Sequence, residues 1–174
     1  PFGKEKEYRE RLIPFDATFA LKVSELEAED WITIFNLKMT SLPGVLIERI
    51  ITKFKDENYE GYTIKDIQDA VEKDAKSSRD VKEIVSSLFD AADSWGVFSR
   101  TRGGTEISDL ITPGTTTVFD VSIYSPIGAF NVRALVISLV SRKIFNTRMD
   151  ARKKEELEAL QRGQDYLSYN IERK

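Results

Sequence analysis

Residues Thr112 to Met149, TPGTTTVFDVSIYSPIGAFNVRALVISLVSRKIFNTRM, constrain this chain more than any other stretch, because they read as a strand that ends in an acid and leads into a helix. Pro113-Gly114 supplies a turn, Thr115 to Thr117 enter the strand, and Val118 to Ser122 place β-formers around Asp120. A strand needs ladder partners for its backbone N–H and C=O groups, and a stable sheet needs several strands. Elsewhere only Phe19, Leu21 and Val23 alternate with Ala20 and Lys22 as a short edge strand would. The expected fold is therefore α+β and mainly helical. One strand-helix unit in it wants a sheet that the rest of the chain does not supply.

Composition narrows the chemistry. With 41% apolar and 32% charged residues the 174-residue chain reads as globular rather than disordered. The longest apolar stretch, Ala134 to Val140, is far too short to span a bilayer. No signal peptide is visible, so a cytoplasmic location without a membrane partner is expected. The chain has no Cys and no His, which removes zinc-thiolate sites, Ser-His-Asp arrangements and imidazole bases. Carboxylate, Lys, Arg and Tyr chemistry remains. A net charge of -3 gives no general attraction to phosphate polymers. The opening Pro1-Phe2-Gly3, without Met, suggests an internal stretch of a longer polypeptide or a processed end.

Three regions are expected: an N-terminal segment with the short strand (1-25), a helical subdomain (26-104), and a strand-helix unit with a long charged helix (105-174). Lys4 to Pro14 is a charged surface segment. Ser24 and Glu27 make an S-x-x-E capping box before a helix at Glu27 to Leu37. A second helix starts near Ser41, with Pro43 in its first turn, and runs to about Lys55. Asn58 to Tyr62 is a turn; Thr63 with Asp66 caps a third helix. Ser78 opens a fourth, bearing Val81, Ile84, Val85, Leu88, Phe89 and Trp95, and Gly96 ends it. Trp31 and Trp95 sit at core spacing. Val97 to Ile111, with Gly103-Gly104 as its turn, reads as a small hairpin. Four or five helices, a small β element and a long final helix are expected.

Helix, helix, helix and Gly-containing hairpin is the order of a winged-helix module, which enters DNA with its third helix and wing. The charge argues the other way. Between Leu42 and Gly104 ten Lys or Arg face twelve Asp or Glu, and Ser78 to Trp95 holds only Arg79 and Lys82 against Asp80, Glu83, Asp90 and Asp93. A helical interaction or packing unit, with a nucleic-acid or a protein partner, is the alternative.

After Asn131, which can cap it, the last helix carries Val132, Leu135, Val136, Leu139, Val140 and Phe145 on one face and Arg133, Arg142, Lys143 and Arg148 on another. Beyond Met149 it turns polar, with Leu157 and Leu160 as its well-spaced apolar residues and Glu158-Arg162 in the favourable i,i+4 order, so this portion should face solvent or a partner. Tyr166 and Tyr169 are interface candidates or part of a frayed tail.

The succession of a strand ending D-V-S, a Leu/Val-rich helix, R-K-I-F-x-x-R-M and a charged helix resembles the middle of the archaeal HerA/FtsK-type P-loop ATPases. So does the opening P-F-G…I-P-F-D-A-T-F-A-L-K-V-S-E-L-E-A-E-D-W. The resemblance covers most of the chain in order. It implies a phosphate loop before Pro1 and a strand ending in adjacent acids after Lys174, with ATP and Mg²⁺ as the parent's ligands. No G-x-x-x-x-G-K-[ST] occurs in these residues, so the chain alone is expected not to hydrolyse ATP.

Under that resemblance Asp120 and Ser122, at a strand's carboxyl end, become near-nucleotide candidates; Asp120 capping its own turn is the equal alternative. Arg133, Arg142 and Arg148 become candidates for a subunit-boundary arginine, against a solvated helix face. The implied partners are the rest of the parent ATPase and DNA through that parent; separately, the orphan strand at Thr115 to Ser122 and the long exposed helix call for a second copy in a homo-oligomer or domain-swapped dimer. A carboxylate enzyme built on Asp120 lacks a second acid at a useful spacing.

Overall fold

The computed structural model describes residues 5–59, 61–106, 114–122 and 132–172, the last ten as backbone only. Six α-helices lie among these residues: α1 Glu5–Glu10, α2 Ala28–Ile34, α3 Leu42–Asp56, α4 Ile64–Lys73, α5 Arg79–Ser94 and α6 Val132–Glu172. A single 3₁₀ turn, Val23–Glu25, precedes α2. The chain divides into two compact units, Pro1–Ile137 and Ser138–Lys174. No described helix is long and apolar enough to cross a membrane.

Local chemistry explains where the helices of the first unit begin. Ser41 Oγ accepts from the Gly44 N–H at 3.2 Å and Pro43 occupies the first turn of α3, where its missing N–H leaves nothing unpaired. In α4, Thr63 Oγ1 accepts from the Asp66 N–H while the Asp66 carboxylate accepts from the Thr63 N–H at 2.8 Å, a reciprocal box. The box at α2 differs from expectation. Glu27 is the cap and Asp30 its partner, because Ser24 is taken into the 3₁₀ turn. Gly96, at φ 65°, ends α5 in the left-handed conformation.

α3 packs on α2, α4 and α5, and α4 packs on α5. Their apolar stripes meet in a core of Leu46, Ile47, Ile51, Ile67, Val71, Val85 and Phe89, all of them essentially buried. Burying each such side chain is worth roughly 1.5–3 kcal/mol. Trp31 organises the aromatic part, at 4.9 Å from Phe89, 5.1 Å from Phe98 and 5.6 Å from Phe35. Both tryptophans are buried, as their spacing predicts.

Three β expectations fail. The described residues contain no strand, only an isolated parallel bridge between Leu21 and Phe98. Phe19 to Val23 is not a sheet edge. Instead Leu21 N–H donates to Val97 O and Leu21 O accepts from Ser99 N–H, both at 2.8 Å, while Ala20 O accepts from Thr105 N–H at 2.9 Å. The residue 20–21 segment thus lies between 97–99 and 105, so the two arms expected to pair as a hairpin each bond to a third segment. The remainder of that hairpin, 107–111, lies outside the described residues. Thr115 to Ser122, the expected core strand, forms no ladder despite its β-formers: propensity alone fixes no strand without a partner edge. Conversely, α1 arises where a charged surface segment was expected, supported by exposed Lys6–Glu10 and Glu7–Arg11 i,i+4 pairs. Pro126, Gly128 and the capping role of Asn131 fall outside the described residues.

Candidate functional site

Asp120 and Ser122 lie together in the first unit, on a segment whose side chains alternate between exposed and half-buried. Val118, Asp120 and Ser122 are exposed, whereas Phe119 and Val121 are half-buried. Phe119 sets its ring edge-on against Phe19 at 5.2 Å. Asp120 Oδ1 accepts from the Ser122 N–H at 2.9 Å and from the Ser122 hydroxyl at 2.6 Å, the geometry of a side chain closing its own turn. Its Oδ2 accepts from the Tyr8 hydroxyl at 2.5 Å, a bond that joins residues 112 apart in sequence. Arg133 then donates to Ser122 O at 3.1 Å.

The Ser122 hydroxyl, the Tyr8 hydroxyl and the Ser122 N–H together hold the Asp120 carboxyl below the usual carboxylate range. Three donors therefore occupy an acid that stays ionised and is a weak base. This arrangement fastens α1 to the segment 114–122; it does not present a carboxylate for proton transfer or for a cation. Among the described residues no group of three or more acids is placed to hold a metal ion. The Asp120 carboxylate accepts three hydrogen bonds, two at Oδ1 and one at Oδ2.

Of the three arginine candidates, Arg133 is tied to the Ser122 carbonyl in the first unit, and Arg142 and Arg148 belong to the second. Arg148 lies 4.0 Å from Glu155 on the same helix, with both side chains exposed. Tyr8 is the member of the Asp120 cluster that sequence reasoning passed over. Its only signal is a lone aromatic within the charged run Glu5-Lys6-Glu7-Tyr8-Arg9-Glu10-Arg11, and it is 5% exposed.

The winged-helix alternative has its own geometry. Arg102, in the loop between the two arms, donates to the Tyr59 hydroxyl at 2.9 Å and lies over the Tyr59 ring at 5.2 Å. Burial acts against ionised Asp66, but bonds from Thr63, the Arg102 charge and a bond from Tyr59 outweigh it, so its pKa falls. On α5, Arg79 pairs with Glu83 at 2.8 Å and Lys82 Nζ donates to Glu72 O at 2.8 Å. Both basic residues of the helix that would read a groove are thus bound to the protein itself. Asp80, Glu83, Asp90 and Asp93 remain exposed. No family model matches the chain, and neither a curated protein nor a solved structure matches it.

Proposed function

We propose that this chain is a non-catalytic internal segment of a DNA-translocating ATPase of the HerA/FtsK kind, a helical body joined to one strand-helix spoke of a motor sheet completed by the rest of the parent. The observation that carries this reading is the segment Gly114 to Ser122. Its sequence is that of a strand, residues 114–118 are all exposed and exposure alternates with the strand period of two only from Val118 to Ser122, it forms no strand here, and Val118 stands 85% exposed. An apolar, β-forming segment left in this state is a template for strands from another part of a protein. ATP, Mg²⁺ and DNA are ligands of that parent, and Asp120 serves the segment as a turn cap.

Calorimetric titration of the chain with Mg-ATP tests the non-catalytic claim: no heat of binding is expected, and micromolar affinity would refute it. Sequencing the gene on either side tests the parent. A phosphate loop upstream and a hydrophobic strand ending in two acids downstream are expected; absence of both ends the ATPase reading.

A second reading rests on the packing of α3, α4 and α5 followed by the bridged loop, the order of a winged helix. With Arg79, Lys82 and Arg102 engaged internally and acids on the outer face of α5, this body suits a protein partner better than DNA. Titration with duplex DNA at low salt checks this, and tight binding that weakens as salt rises would restore the nucleic-acid version.

A further inference from the structure

No side chain from residue 141 to 162 of α6 is buried, and all but Arg142, Lys143 and Glu158 are exposed, along about 33 Å of helix at 1.5 Å per residue. A helix of this kind is sustained by i,i+4 pairs or by a partner. Glu158 with Arg162, at 3.4 Å, is one such pair. The stretch also exposes Phe145 (63%), Met149 (40%), Leu157 (61%) and Leu160 (65%).

Met149, Lys153, Glu156 and Leu160 are spaced four, three and four residues apart, the interval of a coiled-coil seam, with Phe145 and Leu157 on its flanks. Between Lys154 and Glu155 a mainly basic run gives way to an acidic one, which Arg162 closes. Arg148, Arg152, Lys153 and Lys154 lie before that boundary, with Asp150 among them, and Glu155, Glu156 and Glu158 lie after it.

We propose that this part of α6 pairs antiparallel with the same part of a second copy, about a two-fold axis between Lys154 and Glu155. That axis sets Lys153 level with Glu156 of the second copy and Met149 level with Leu160 of the second copy, each contact made twice. Parallel pairing in register would instead set Lys153 on Lys153 and Glu156 on Glu156, placing like charges in the seam. A charged pair within an apolar seam selects register and direction at some cost in stability. The proposal stands whether or not the ATPase reading does.

The test is the mass of the 174-residue chain in solution, by sedimentation over a range of concentrations. A monomer-dimer equilibrium is expected. Lys153→Glu or Glu156→Lys alone should weaken it by roughly tenfold or more, and the two together should restore it, because the opposed pair is rebuilt with its signs exchanged. Circular dichroism of each variant confirms that α6 is retained. Since the chain has no Cys, Met149→Cys mixed with Leu160→Cys should oxidise to a disulfide-linked dimer, whereas Met149→Cys alone should not. A monomer at every concentration, a dimer indifferent to both charge reversals, or self-linking by Met149→Cys would overturn the proposal.

Discussion

Gly103 and Gly104 are adjacent, and neither has a left-handed φ, yet the structure predicts opposite responses to alanine. A Cβ on Gly104 would lie 2.7 Å from Lys22 Cβ, 2.8 Å from Lys22 N and 3.0 Å from Lys22 Cα. Carbon atoms in good contact are 3.5–4.0 Å apart, so the backbone at Lys22 must recede by about 1 Å. That backbone cannot move alone. Ala20 and Leu21 make the bonds to Val97, Ser99 and Thr105 that hold the bridge, and Ala20 N–H also donates to Thr105 Oγ1 at 2.9 Å. Phe98, paired with Leu21, reaches into the Trp31 cluster.

Overpacking of this kind costs about 1–3 kcal/mol, and each weakened hydrogen bond adds about 1 kcal/mol. Reduced freedom of the unfolded chain returns about 0.4–1 kcal/mol. Gly104→Ala should therefore lose about 2–3 kcal/mol, a sizeable share of the roughly 5–15 kcal/mol that holds a domain folded. At Gly103 the nearest atom to a new Cβ is Thr101 Oγ1 at 3.8 Å, an ordinary contact. Gly103→Ala should be neutral or stabilising by up to about 1 kcal/mol. Urea unfolding followed by the fluorescence of buried Trp31 and Trp95 measures both variants. If Gly104→Ala falls within about 0.5 kcal/mol of Gly103→Ala, residues 20–22 do not lie against this loop as described.

Phe89 is fully buried between Trp31 and Phe35, at 4.9 and 5.3 Å, so Phe89→Ala should cost about 3–5 kcal/mol in the same assay, and a loss below about 1 kcal/mol would contradict the aromatic core. Tyr62 is buried with no hydrogen bond to its hydroxyl, and Tyr62→Phe should be neutral or stabilising by about 1 kcal/mol; a clear loss would mean that the hydroxyl is paired. Burial, and then the Glu27 charge, push the Tyr62 pKa up to about 12, so stability present below pH 10 should fall between pH 10 and about 12, less steeply in Tyr62→Phe. Asp66, Asp74 and Asp120 all have lowered pKa values, so their contribution is present above about pH 4 and is lost as pH falls through the folded values. Unfolding titrations of Asp66→Asn and Asp120→Asn should show shallower acid limbs than the parent chain; parallel limbs would deny these carboxylates their role.

The helices of the first unit were legible because their signals are local. Ser41 with Pro43, and Thr63 with Asp66, carry cap and first turn within a few residues, and the stripe Val81, Val85, Phe89 needs only helical spacing to announce a buried face. The β expectations failed because pairing is not local. Phe19 to Val23 has the alternation of a strand, but its partners lie near residues 97–99 and 105, and nothing in its own residues says that only one bridge will form. Gly103-Gly104 read as a turn by composition, yet the reason for glycine at 104 is the close approach of Lys22, which is visible only once the chain is folded.

Asp120 shows the same divide at the level of function. Its position after Val118 and Phe119 suggested a strand end near a nucleotide, and its spacing from Ser122 equally allowed a turn cap. The hydrogen bonds favour the cap, and the decisive contact comes from Tyr8, far away in sequence. A carboxylate satisfied by two hydroxyls and an N–H gains nothing by approaching a triphosphate, whose charge it shares. If a parent sheet pairs with residues 115–122, the Tyr8 bond is the contact it must preserve or replace, since any new donor to Asp120 Oδ2 would compete with the Tyr8 hydroxyl there. Tyr8→Phe should then separate the two roles. It removes one bond, worth about 1 kcal/mol at this exposed carboxylate, while leaving the Ser122 turn intact. Faster proteolysis near residues 114–122 with unchanged protection of α3 to α5 is the expected outcome, and unchanged cleavage throughout would show that Tyr8 does not fasten the segment.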